Sequence, residues 1–186
     1  IGLAFLLNRS SDLAMCINGK KEFFEDIINS GREGVVLKKL DSPYFMGKKP
    51  MWQWMKLKQK DTADLVVIGY KEPTMEYTGK NIESWGFWKE IKGELTPVTK
   101  DYYNEWIGAL ELGAYVNDQL VHICTCSGLD EGLKETISSN KAAFIGKVVK
   151  ISFMEKTEAG YPRHPRFEMF HESKTAKECT WELATM

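Results

Sequence analysis

The chain contains few residues that bind metals or form disulfides, and this scarcity excludes several classes of protein. Among its 186 residues there are three histidines and four cysteines, and neither type is spaced as zinc ligands or as a disulfide framework. Scattered cysteines are typical of a reducing compartment, so we expect an intracellular protein, cytoplasmic if the host is a bacterium or a phage. No apolar run approaches the roughly 20 residues that cross a bilayer, and we expect no membrane partner. The cysteines are Cys16, Cys124, Cys126 and Cys179.

The net charge is also close to zero, but it is unevenly distributed. The 25 Lys and Arg residues nearly balance the 26 Asp and Glu residues, which gives a formal charge of −1. Residues 38–60, however, contain seven lysines and one acidic residue, Asp41. The neutral total therefore does not exclude a basic surface for a phosphate-bearing partner.

Residues 1–60 show the pattern of a small α/β segment. The apolar residues of 20–30 recur at helical spacing, and Gly31 is suited to the left-handed cap that ends a helix. Strands are predicted at 33–38 and 52–58. In the second strand, alternation predicts that Lys56 and Lys58 share one face and that Trp54, Met55 or Leu57 points inward.

A polar linker is predicted at 59–62, and the remainder is rich in strands. One helix, at 130–145, is predicted between the third and the fourth strand, and Asn117-Asp118 forms a two-residue hairpin turn. Five strands with a helix before the fourth is the element order of an OB-type barrel. Residues 72–105 are a long insertion with structure of its own. The strands are expected at 64–70, 106–116, 119–127, 147–154 and 166–170.

One carboxylate and three lysines on the two N-terminal strands form the main candidate site. Glu33, Lys38, Lys56 and Lys58 could converge on one wall, where ammonium groups neutralise phosphate oxygens and a carboxylate holds a divalent cation. For any single lysine a solvated strand-face role is the better interpretation. For the set as a whole we favour phosphate chemistry.

Several segments in the same order resemble the motifs of ATP-dependent DNA ligases. The resemblance covers nearly the whole chain from Glu33 onward, and it implies a mixed α+β to mainly β fold. Residues 1–60 would be the C-terminal portion of a nucleotidyltransferase (adenylation) domain, with a fragment of its sheet. Residues 61–186 would be an OB-fold domain, a five-stranded barrel with one inserted helix. The matching segments are EGVVLK at 33–38, LDSPY at 40–44, WMKLK at 54–58, ADLVVIGY at 63–70, GKVV at 146–149 and RHPRF at 163–167.

The resemblance implies a role for each matched position. Glu33 would contact the catalytic Mg²⁺, and Val35 or Leu37 would lie against adenine. Lys38, Lys56 and Lys58 would contact the phosphates of ATP, of the adenylate or of the nicked strand, and Lys174 would contribute to binding ATP. The expected contacts to DNA are Lys48, Lys49, Arg163 and Arg166.

Two departures from the family pattern bear on activity. The family's nucleophile is the lysine of a Lys-x-Asp-Gly motif, which is absent from these 186 residues. Because the chain also starts at Ile1 in an apolar run, we expect a fragment whose N-terminal apolar residues could self-associate. The last motif of the family is usually Arg-x-Asp-Lys, and here His171 and Ser173 replace the arginine and the aspartate while Lys174 is kept.

The function implied by the resemblance is that of a parent enzyme that seals nicks in duplex DNA. It would use ATP and Mg²⁺ and pass through lysyl-AMP and DNA-adenylate intermediates. Two alternatives stay open at this point. One is an RNA ligase or an mRNA-capping nucleotidyltransferase, and the other is a non-catalytic OB module that binds nucleic acid.

Overall fold

The computed structural model divides the chain into two compact units, Ile1–Lys60 and Asp61–Met186. It describes residues 3–6, 13–14, 19–39, 41–43, 46–47 and 53–183. The assignment of the two units to an adenylation domain and an OB domain stays a prediction.

Unit 1 contains an antiparallel sheet and one helix, α1 (Lys20–Asn29). The strands of the sheet are β1 (Leu3–Leu6), β2 (Leu13–Ala14), β3 (Gly34–Lys38) and β4 (Trp54–Lys58). Their order in the sheet is β2-β1-β3-β4. The helix and both strands predicted for the described part of this unit are confirmed, with bounds that differ by one or two residues.

Helix α1 is amphipathic, as its spacing predicts. Phe23, Phe24, Ile27 and Ile28 are half-buried, whereas the acidic residues between them are exposed. The helix ends before Gly31, whose φ of 76° is the left-handed conformation expected of a helix-ending glycine.

Strand β4 corrects the prediction that one of its large apolar residues points inward. Trp54, Met55 and Leu57 are all exposed, at 37 to 39% of their surfaces. Among the described residues β4 pairs with β3 alone, so it is an edge strand of this sheet.

Unit 2 is built around a five-stranded antiparallel sheet. Its strands are β5 (Asp61–Lys71), β8 (Ala109–Val116), β9 (Gln119–Cys126), β10 (Val148–Phe153) and β11 (Arg166–Phe170), in the order β11-β10-β5-β8-β9. Ser127, after β9, bridges to Arg166 of β11 in parallel, and Phe167 N donates to Ser127 O at 3.0 Å. The two outer strands thus meet and the sheet closes around a core that includes Leu112, Ile137 and Ile151.

The predicted order of five strands with a helix before the fourth is confirmed, but the predicted helix at 130–145 is too long. The helix α3 spans Glu131–Ser139, with the Asp130 side chain accepting from Leu133 N at 2.8 Å, and a separate 3₁₀ turn follows at Lys141–Phe144. The break falls at Asn140, with φ −149° and ψ 64°, after two serines that are weak helix formers. The predicted hairpin turn is confirmed, because Asn117 and Asp118 have positive φ values of 48° and 63°.

The predicted strand bounds also need small corrections. Strand β5 begins at Asp61, inside the expected linker, and β8 begins at Ala109, three residues later than expected.

The insertion between β5 and β8 has structure of its own, as predicted. It contains a hairpin of β6 (Trp88–Ile91) and β7 (Glu94–Pro97), followed by the short helix α2 (Lys100–Tyr103). Tyr77 stacks on Trp85 with ring centroids 3.7 Å apart, and Trp85 Nε1 donates to Val98 O at 2.7 Å. These aromatic residues therefore pack as a satellite core rather than as a surface for bases. Within the described ranges, none of the helices has the length and hydrophobicity that crossing a bilayer requires.

Candidate functional site

The pairing of β3 with β4 brings the candidate lysines of unit 1 to one face of the sheet. Opposite pairs in an antiparallel ladder point to the same side. The register pairs Lys38 with Trp54, Val36 with Lys56 and Gly34 with Lys58. Lys38, Lys56 and Lys58 therefore share one face, which we call the lysine face.

Glu33 lies at the end of this face and forms an ion pair with Lys58. The carboxylate is 46% exposed and the lysine side chain 30% exposed, so solvent screens the pair. The hydrogen bond from Lys58 lowers the pKa of Glu33 below its usual value, and the charge of Lys56 acts in the same direction. Glu33 is thus an ionised carboxylate in a cationic environment, which is suited to a divalent cation shared with a phosphate.

Gly34 allows β4 to approach this closely. Its φ of 145° is a conformation that residues with a side chain rarely adopt. A Cβ atom added there would lie 2.1 Å from Leu57 O and 3.0 Å from Lys58 Cα. The absence of a side chain at Gly34 therefore allows β4 to lie close enough for Lys58 to pair with Glu33.

Val35 and Leu37 lie on the sheet face opposite the lysines, in register with Leu57 and Met55. The prediction that one of them contacts adenine does not fit a nucleotide bound on the lysine face. Val36, which is half-buried, is the aliphatic residue of β3 on that face. Sequence reasoning missed it, although counting two residues back from Lys38 along a strand would have found it.

Trp54 is a second residue of the lysine face that sequence reasoning did not assign. The Lys38 ammonium lies 4.0 Å from the centre of its ring, in a cation–π contact. The exposed indole therefore adds an aromatic surface beside the phosphate-binding candidates.

In unit 2, Lys174 and His171, which follow β11, contact Asp64 on β5. Lys174 Nζ donates to Asp64 Oδ2 at 2.6 Å, and His171 Nε2 lies 2.9 Å from Asp64 Oδ1. Burial would raise the pKa of Asp64, but the hydrogen bonds from Lys174 and His171 outweigh it and the pKa is lowered. The same hydrogen bond raises the pKa of Lys174. Asp64 is the carboxylate that sequence reasoning missed, because it lies 107 and 110 positions from its two partners.

The lowered pKa of Asp64 predicts an acid-sensitive contribution to stability. A carboxylate with a lowered pKa stabilises the fold above its ordinary value of 3.8, and the contribution is lost as the pH falls through the folded pKa. We expect Asp64→Asn to reduce the free energy of unfolding by about 1 to 2 kcal/mol at pH 7 and by much less near pH 2. Urea unfolding at both pH values measures this, and a difference that does not depend on pH would contradict it.

The arginines expected to bind DNA are both exposed. Arg163 Nη1 donates to Glu155 Oε1 at 2.6 Å, in a surface ion pair that a phosphate could replace at small cost. Arg166 begins β11 beside Ser127. Lys48 and Lys49 lie outside the described residues.

The donor set for a metal is small in the part of the chain that the structure describes. It contains no group of three or more His, Cys, Asp or Glu side chains that could hold an ion. Mg²⁺ is commonly held by one or two carboxylates together with substrate phosphates, and Glu33 is compatible with that kind of site.

The segment that carries the lysine face is similar in sequence to known proteins. Residues 10–58 match the family model described as ATP dependent DNA ligase domain. A probable DNA ligase of Dictyoglomus thermophilum is 43% identical over 56 residues, 27% of this chain and 10% of the relative. A DNA ligase of Nitrosopumilus maritimus is 47% identical over 58 residues, 28% of this chain and 10% of the relative. The matched part is thus about a tenth of the length of these relatives.

A structural comparison covers both units. A chain solved in a structure-function study of Lig E DNA ligases, described as "DNA binding with a minimal scaffold", has a TM-score of 0.51 at 19% identity. The similarity covers 87% of this chain and 49% of that chain, and at this identity it supports the fold alone. Residues 10–58 of this chain are therefore similar in sequence to the ATP dependent DNA ligase domain and to proteins named DNA ligases.

Proposed function

We propose that this chain is the C-terminal part of an ATP-dependent DNA ligase that seals nicks in duplex DNA. The observation that carries the proposal is the lysine face: three lysines and the Glu33–Lys58 pair lie within the segment 10–58 that matches the ligase domain. The relatives are named DNA ligases, which favours this function over an RNA ligase, a capping enzyme or a non-catalytic binding module.

In this proposal the lysine face binds the phosphates of ATP, of the adenylate and of the nicked strand. Lys38, Lys56 and Lys58 neutralise oxygens on which negative charge accumulates during phosphoryl transfer. Glu33 would hold Mg²⁺, which when bound supplies further charge neutralisation at the phosphate. Val36 and Trp54 offer apolar and aromatic surface beside the phosphates.

Unit 2 would serve as the OB domain and contribute to binding DNA and ATP. Arg163 and Arg166 are proposed to contact the DNA backbone, where their guanidinium groups suit phosphate oxygens. Lys174 is proposed to contact the phosphates of ATP. His171 stands at the position of the family's arginine and is proposed to lie beside the same phosphates.

The chain is expected not to adenylate itself. Its 186 residues contain no Lys-x-Asp-Gly sequence, so the lysine that would form lysyl-AMP is missing. Incubation with α-labelled ATP and Mg²⁺, followed by denaturing electrophoresis, should leave the chain unlabelled. A stable covalent adenylate would contradict this assignment of the nucleophile.

Binding to nicked DNA tests the lysine face directly. We expect Lys56→Ala and Lys58→Ala each to weaken binding to a 5′-phosphorylated nicked duplex by about fivefold and to lower the salt slope by about one. Fluorescence anisotropy over a range of salt concentrations measures both quantities. Lys21→Ala is the matched control, because it removes the same charge from an exposed site on α1.

The alternatives predict different results in the same assay. An RNA-specific enzyme would bind a nicked RNA duplex more tightly than nicked DNA. A binding module without a nick site would bind nicked and intact duplexes equally. Equal losses in Lys21→Ala and Lys58→Ala would show that the lysine face has no special role and would contradict the proposal.

A further inference from the structure

In unit 2 a single carboxylate, that of Asp64, contacts both Lys174 and His171. Asp64 uses both oxygens, Oδ2 for Lys174 at 2.6 Å and Oδ1 for His171 at 2.9 Å. All three side chains are at most 30% exposed, so the pairs are largely shielded from solvent. A carboxylate that accepts hydrogen bonds from a lysine ammonium and an imidazole presents the same kind of acceptor as a phosphate.

The surroundings of Asp64 show what would remain if its carboxylate were displaced. Lys150 on β10 is directly opposite Asp64 in the strand register, which places its side chain on the same face of the sheet. Lys174 and His171 thus contact the carboxylate, and Lys150 adds a further basic side chain on the same sheet face. Asp64 and Lys174 also line an open cleft of about 470 Å³, which a ligand can enter.

Two other carboxylates, those of Glu178 and Glu182, line the same cleft as Asp64. Glu178 Oε2 accepts from Thr175 N at 2.7 Å and from Thr175 Oγ1 at 2.6 Å, so it caps the short turn that begins there. Glu182 is exposed at the cleft wall. Among the described residues, the carboxylate hydrogen-bonded to Lys174 is therefore that of Asp64.

We propose that Asp64 is a positioning residue that competes with phosphate for Lys174 and His171, and so sets the affinity of this cleft for a polyphosphate. In the absence of ligand Asp64, on β5, holds the side chains of Lys174 and His171, and a polyphosphate binds by replacing the carboxylate. This inference rests on the proposed contact between Lys174 and the phosphates of ATP.

Titration of the complete chain with inorganic tripolyphosphate at constant ionic strength tests the competition. We expect Asp64→Asn to bind tripolyphosphate about tenfold more tightly than the unchanged chain, since the competing charge is gone and the shape is kept. Asp64→Glu, which keeps the charge, should bind as weakly as the unchanged chain. Glu182→Gln removes the same charge from the same cleft and should change the affinity by less than about twofold.

Two further measurements separate positioning from a purely structural role. Lys174→Met should abolish the gain in the Asp64→Asn background. In ¹H–¹⁵N spectra, tripolyphosphate should shift the imidazole nitrogens of His171 and leave those of His122 unchanged. Loss of thermal stability in Asp64→Asn without tighter binding, or absence of tripolyphosphate binding in both proteins, would overturn the proposal.

Failure here is distinguishable from failure of the proposed function. The tripolyphosphate titration depends on unit 2 side chains, whereas the nicked-DNA assay compares Lys56, Lys58 and Lys21 of unit 1. A chain that binds nicked DNA through the lysine face but shows no competition at Asp64 keeps the ligase proposal and loses this one.

Discussion

Gly34→Ala is expected to separate β4 from β3 and to remove the Glu33–Lys58 pair. The added Cβ would lie 2.1 Å from Leu57 O, a backbone atom that can move only if β4 moves. The φ of 145° adds strain on the order of 1 to 3 kcal/mol for a residue with a side chain. We therefore expect a total loss of roughly 3 kcal/mol or more in the local stability of the β3–β4 pairing.

Hydrogen exchange measures this loss where it arises. The amides of the β3–β4 ladder, and the Lys39 amide that donates to Gln53 O at 2.8 Å, should exchange much faster in Gly34→Ala. Binding to nicked DNA should fall at least as far as in Lys58→Ala, because the substitution displaces the backbone that carries this lysine.

Gly31→Ala is the matched control for the contribution of the backbone angle. Gly31 also has a positive φ, 76°, but a Cβ atom there would meet nothing within 4 Å. Its substitution should cost about 1 kcal/mol and leave the β3–β4 amides protected. Equal effects of the two substitutions would contradict the close approach of β4 at Gly34.

The lysine face shows how far strand alternation can predict a site. Alternation correctly places Lys56 and Lys58 on one face, because two-residue periodicity is a property of any strand. It does not give the partner of each residue, which depends on the register between two strands joined by 15 intervening residues. For this reason the pairing of Lys38 with Trp54, and the position of Val36 on the lysine face, became evident only in the structure.

Asp64 marks the limit of what the sequence predicts in unit 2. Lys174 was identified from a motif, but motifs carry no information on a partner that lies 110 positions earlier. Local signals were more informative for the fold. The Asn117-Asp118 pair predicts the hairpin turn because both residues tolerate positive φ. The periodicity of the apolar residues alone does not predict the helix break at Asn140, which follows two serines.

Leu112→Ala is expected to be among the most destabilising single substitutions in unit 2. Leu112 is completely buried on β8, which lies between β5 and β9 in the sheet, with Val67 of β5 and Cys124 of β9 opposite it on either side. Truncation removes a well-packed side chain and leaves a cavity, at a cost of about 2 to 5 kcal/mol. A typical domain is stable by only about 5 to 15 kcal/mol, so this loss is a large part of the total.

Leu120→Ala is the control for Leu112→Ala, because it makes the same substitution at an exposed position. Leu120 lies on β9, the strand paired with β8, and is 46% exposed, so its truncation should change the free energy of unfolding by about 0.5 kcal/mol or less. Urea unfolding followed by circular dichroism compares the two variants. Because both replace leucine by alanine on adjacent strands, the difference between them measures the packing of the barrel interior. Similar losses for both would contradict a core in which the closed sheet buries Leu112 and leaves Leu120 in solvent.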